Sequence, residues 1–267
     1  MSRWLVTNVP PLLLLLGLTV LIVGLSIAVR SLVRRRFPQL SGETHNDVTK
    51  FAFGVVAFVF AFFMSFLASS LWDQISGLGG TDEGVLIEGA TGVQLARDST
   101  VFDTADRDRI RQSLLDYGHA AEAEWPLAAK GQRFPAADDR LARLYNSYEQ
   151  VAARTDAQKT LLSTSFANLD KMSQARTERL LTARTDEGPP WSLWAVVIVT
   201  SVLVLGCAII YGVEQPAVHS TMVATVGALV AANLFLILEL SHPYVGEIGT
   251  SPEPLHELVR VLEAPPR

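Results

Sequence analysis

The chain has 267 residues, 49% of them apolar and 18% charged, with 22 Lys and Arg against 27 Asp and Glu for a net charge of −5. This mildly acidic balance has no concentrated basic face and argues against a nucleic-acid partner. The single cysteine, Cys207, excludes an intrachain disulfide and a thiolate metal cluster, and reads as a small apolar filler.

Four stretches hold no Asp, Glu, Lys or Arg: Pro10 to Val29, Phe51 to Trp72, Pro189 to Val213 and Gln215 to Leu238. Each reaches the ~20 residues a helix needs to cross the hydrocarbon core. The expected class is an all-α membrane protein with four transmembrane helices, two and two, and an extramembranous helical bundle inserted between helices two and three. Its parts are 1–72, with spans at about 10–30 and 51–72; the bundle at 73–188; 189–240, with spans at about 190–213 and 220–240; and a C-terminal tail at 241–267.

The first span starts at Pro10 and Pro11, where proline costs least, and ends in Arg30 and the run Arg34 to Arg36. Only Arg3 precedes it and no small-x-small cleavage site follows, so it reads as a retained anchor. Thr44, three residues before Asp47, predicts a capping box for the second span, and Trp72 marks its far interface. The second span carries an aromatic load in which Phe58, Phe62 and Phe66 are four residues apart and share a face. Such a face is either a hydrophobic constriction in an oligomer or ordinary packing.

In the insert, the glycine-rich stretch from Gln74 to Leu95 predicts a weak or broken continuation of the second helix. Thr100 to Asp103 predicts a helix start, followed by Ile110, Leu114, Tyr117, Ala121 and Trp125 on one stripe, with an end at Pro126. Pro135 opens a second helix with Leu141, Leu144, Tyr145 and Tyr148 inward. Thr155 to Gln158 caps a third, with Leu162, Phe166, Leu169 and Met172 inward, and Gly188-Pro189-Pro190 breaks it. Trp191 and Trp194 open the third span. A short connection then makes spans three and four an antiparallel hairpin. Four crossings put both termini on one side. The loop between spans one and two carries five basic residues and reads as cytoplasmic, which places the insert and termini outside a bacterial inner membrane.

Catalytic signatures are missing: no phosphate-cradling glycine loop, nucleophile elbow or His-Glu-x-x-His occurs, so neither an enzyme nor a cofactor is expected. Glu-x-x-His pairs occur at Glu239–His242 and Glu253–His256. That spacing supplies di-iron ligands in helical bundles, but Pro243 and Pro254 interrupt helical continuity, and interfacial polar residues are the expected reading. Asn233, within span four, either lines a path or hydrogen-bonds to another helix.

His45-Asn46-Asp47-Val48, Glu124-Trp125-Pro126, Leu234-Phe235-Leu236-Ile237 and His242-Pro243-Tyr244-Val245-Gly246, with Ser251-Pro252-Glu253-Pro254, together resemble a bacterial bestrophin-like membrane family. That family is distantly similar to bestrophins, which are pentameric anion channels. The resemblance implies an oligomeric anion channel or pore, with membrane lipid, small anions and further copies of the chain as partners. It makes the second helix the pore liner, and so Phe58, Phe62 and Phe66 the candidate gate. His45, Asn46, Asp47, Glu239 and His242 form an interfacial motif, in which helix capping accounts for His45 and Asp47. The alternative is a non-conducting sensor or scaffold whose insert binds a partner or ligand.

Overall fold

The computed structural model describes residues 2–37, 46–185, 188–211, 215–246 and 248–264, without the side chains of 46–50. His45 and the side chains of Asn46 and Asp47 therefore lie outside the described residues, as does the capping box expected at Thr44. The elements, in chain order, are α1 (Ser2–Asn8), α2 (Pro11–Arg36), α3 (Asn46–Ser76), α4 (Thr81–Asp98), α5 (Thr104–Ala128), α6 (Pro135–Glu149), α7 (Asp156–Thr185), α8 (Trp191–Ile210), α9 (Pro216–Leu240) and α10 (Glu253–Glu263). Among the described residues there is no strand. The chain divides into two compact units, Met1–Trp72 with Glu187–Gly249, and Asp73–Asp186 with Thr250–Arg267.

In the first unit, Pro11 and Pro216 stand in the opening turns of α2 and α9, where a missing N–H breaks no helical bond. Helices α2 and α9 pack together, and α8 packs on both. Gly227 permits the close approach: a Cβ there would stand 3.3 Å from Val23 Cγ2 and 3.4 Å from Val23 Cα. The inward residues of α8 and α9, Val197, Val204, Ala208, Val223, Val230 and Ala231, are small or β-branched. Outward residues of the same two helices, such as Val199, Val202, Leu203 and Leu229, are apolar as well. Among the described residues, four helices are long and apolar enough to cross a membrane: α2, α3 from Phe51 onward, α8 and α9.

The second unit packs α4 against α7, α5 against α6, and α10 against both α4 and α5. Its start departs from expectation. Helix α3 stops at Ser76, a turn with Gly79 at φ +76° follows, and α4 then runs unbroken from Thr81. The glycines of α4 are contact points for another helix. A Cβ on Gly92 would meet Leu258 Cδ2 at 2.7 Å, and one on Gly89 would collide with the carbonyl of Pro254. Pro254 opens α10 instead of interrupting a helix, because its missing N–H falls in the first turn. Leu255, Leu258, Val259 and Leu262 then face inward, and Arg111 Nη2 donates to the carbonyls of Val261, Leu262 and Ala264 at the far end. Helix α5 carries Pro126 in its last turn and ends two residues later, at Ala128. The box at the start of α7 forms: Gln158 N donates to Thr155 Oγ1 at 3.1 Å, and Thr155 N donates to Gln158 Oε1 at 3.3 Å.

Candidate functional site

Helix α3 has two opposed faces. At 100° per residue, Phe60, Met64, Leu67, Leu71 and Ile75 fall on one stripe, and all are buried. Phe58, Phe62 and Phe66 lie on the opposite side and are 71%, 67% and 67% exposed. Ser65 and Ser69 share this open face and are exposed too. Phe53, half-buried, continues the Phe60 stripe toward the start of the helix, with its ring 6.3 Å from that of Tyr211 just after α8. The three phenylalanines are therefore not packed against the rest of the chain.

The other sequence candidates do not join this face. Asn233 is half-buried and its Nδ2 donates to the Leu229 carbonyl of its own helix at 2.9 Å, so it uses its amide locally. Glu239 and His242 are both fully buried at the end of α9. The His242 amide donates to the Glu239 carbonyl at 3.3 Å, and its Nε2 lies 3.0 Å from Ser2 Oγ of α1. Gly246, at φ +93°, lies against the Glu239 carboxylate, where a side chain would clash. The pair is thus an interior knot at the end of α9, beside α1. Glu253 and His256 stay largely exposed on α10, with 3.5 Å between Glu253 Oε2 and His256 Nδ1. Among the described residues no group of three or more His, Cys, Asp or Glu is placed to hold a metal ion.

Two charged clusters escaped the sequence reading. In the second unit, Arg179 Nε and Nη2 donate to Glu88 at 2.8 and 3.0 Å, and Nη2 also reaches Glu124 at 3.3 Å. Arg176 forks onto Glu124 at 3.0 and 2.7 Å and extends to Asp138 at 2.8 Å. The Tyr117 hydroxyl donates to Glu88 at 2.7 Å, and the Arg179 guanidinium stands 5.5 Å from the Trp125 ring centre. Burial alone would drive the Arg179 cation toward neutrality. The charge of Glu88 and its hydrogen bonds, then Tyr117 and Glu124, outweigh that and hold its pKa above the ordinary guanidinium value. Burial, and then the Glu88 charge, push the Tyr117 hydroxyl well up, so it stays a neutral donor. In the first unit, Arg30 of α2 meets His219 and Ser220 of α9. The available signal was positional: Glu88, Glu124, Arg176 and Arg179 sit in helical register with the apolar stripes, where a solvated charge has no place.

The bestrophin-like domain family matches residues 20–255. No curated protein matches the chain. Among solved structures, a variant of a bacterial bestrophin homologue from Klebsiella pneumoniae is similar, with 14% identity and a TM-score of 0.64 over 93% of this chain and 97% of that one. A structure of that homologue phased on zinc is 15% identical, with a TM-score of 0.64 over 92% and 96% of the two chains.

Proposed function

We propose that this chain, which belongs to the bestrophin-like family, is one subunit of an oligomeric membrane pore for small anions, lined by the open face of α3. The observation that carries this reading is that Phe58, Phe62 and Phe66 turn away from their own subunit and share their face with the exposed Ser65 and Ser69. Lipid asks only for apolar surface. Hydroxyls interleaved with rings suit a narrow conduit that is wet in part and constricted by phenyl groups in part. Two pairs of spans flank the second unit, which lies outside the membrane in this reading. The Arg34 to Arg36 end of α2 is cytoplasmic by its charge, placing the second unit on the outer side.

Purified protein in planar bilayers should pass anion current, and Phe62→Ala should enlarge the conductance by removing a ring from the constriction. No current under any condition, together with a monomeric particle in detergent, overturns the reading in favour of a non-conducting scaffold. A compartment-sensitive reporter fused at Gly131, an exposed turn residue, should report the outer side; activity of the cytoplasmic reporter there reverses the orientation and leaves the pore reading intact.

A further inference from the structure

Arg30 is 7% exposed and His219 1%, and neither belongs to the open face of α3. Arg30 Nε donates to His219 Nδ1 at 2.9 Å, Nη1 to Ser220 Oγ at 2.7 Å and Nη2 to the Pro216 carbonyl at 2.8 Å. On its other side, His219 Nε2 lies 3.1 Å from the carbonyl of Ala208 in α8. One imidazole thus connects three helices of the first unit.

The hydrogen-bond chemistry fixes its state. A guanidinium has only donors, so His219 Nδ1 must present a lone pair; a carbonyl only accepts, so Nε2 carries the hydrogen. The ring is the neutral Nε2–H tautomer. A second proton has one place to go, Nδ1, the atom that accepts from Arg30. The charged groups acting on the ring are Arg30 and Arg34 of α2; α8 brings the Ala208 carbonyl and α9 its own Ser220. Among the described residues no carboxylate pairs with either Arg30 or His219. A protonated ring would therefore face, among the described residues, a guanidinium with no carboxylate paired to either.

We propose that Arg30 and His219 form an acid-sensitive lock where the C-terminal part of α2 meets the start of α9. A proton taken from solvent by Nδ1 removes the acceptor for Arg30 Nε and sets imidazolium against guanidinium. The end of α2 then separates from α9 and α8. The lock stands on the geometry of the first unit and does not depend on conduction.

The test is the thermal unfolding of the detergent-solubilised full chain at about pH 7.5 and about pH 5. The wild type should lose about 5 °C or more on acidification beyond what His219→Gln loses, because the glutamine amide accepts and donates without titrating. Arg30→Gln should remove the same acid step by removing the cation, and Ser220→Ala should retain it. Equal acid dependence in the wild type and His219→Gln overturns the proposal. A measurement without any variant stands beside it. Imidazole ¹⁵N NMR of the wild type at about pH 7.5 should show the Nε2–H tautomer at His219, and the Nδ1–H form would overturn the lock.

Discussion

Replacing Glu88 with alanine should destabilise the second unit more than any single change on its surface. The Glu88 carboxylate receives Arg179 twice, at 2.8 and 3.0 Å, and the Tyr117 hydroxyl at 2.7 Å. Without it, Arg179 keeps one side-chain hydrogen bond, to Glu124 at 3.3 Å, and Glu124 is already held by both arms of Arg176. Two guanidinium groups would then share one buried carboxylate, with Asp138 helping only from the exposed rim. Arg179 is 2% exposed, so water cannot solvate the uncompensated charge without opening the helices. Breaking a buried pair from one side costs ~3–5 kcal/mol, and for a domain of this size that lowers the melting temperature by roughly 10–20 °C. Unfolding can be followed by the fluorescence of Trp125, which lies beside the Arg179 guanidinium. The control is Glu88→Ala with Arg179→Met, which leaves Arg176 and Glu124 as a complete forked pair and should recover at least half of the loss. A single variant within ~1 kcal/mol of the wild type, or a double variant no more stable than the single, refutes the reasoning.

Two further expectations concern the same unit. Gly89→Ala drives a Cβ into the Pro254 carbonyl, a backbone atom that cannot swing aside. It should cost about 1–3 kcal/mol and accelerate proteolytic removal of α10, read by mass spectrometry; unchanged cleavage rates would show that α10 adjusts freely. Burial, reinforced by the hydrogen bond to Asp170, pushes the Tyr145 hydroxyl up to about 12. The folded state therefore favours the neutral phenol, and this contribution is complete below the unfolded value of about 10 and disappears as pH rises toward the folded one. The difference in ultraviolet titration between the wild type and Tyr145→Phe should show no ionisation step at about pH 10.

The second unit was legible where water supplies contrast. The stripe of Ile110, Leu114, Tyr117 and Ala121 is buried, as are Leu169 and Met172, because one face of each helix must avoid solvent. The charges in its core were not legible. A Glu or Arg inside an apolar stripe resembles a surface residue slipped by one position, and only the partner on another helix shows that it belongs inside. Helix α10 was missed for a related reason: Pro254 suggested a break, although proline fits a first turn as well as it ends a helix. The glycines of α4 suggested weakness for as long as the α10 side chains that occupy their space were out of view.

In the first unit both sides of a helix are apolar. Buried Phe60, Leu67 and Val223 differ little in kind from exposed Phe62, Leu16 and Val202, so apolar periodicity carries almost no information about which face meets what. Only polar atoms discriminate there. Arg30, Glu239 and His242 are buried at helix ends, where backbone groups left over from the helices can serve them. Asn233 satisfies its donor on its own helix, so its presence within a span does not mark a conduit. Ser65 and Ser69 stand differently: both share the outward face of Phe62, opposite the stripe through Met64 and Leu67, on a surface the chain leaves uncovered. A face that is both uncovered and part-hydroxylated suits water better than acyl chains. The serines, more than the phenylalanines that first draw notice, therefore make this face of α3 the one to test for conduction.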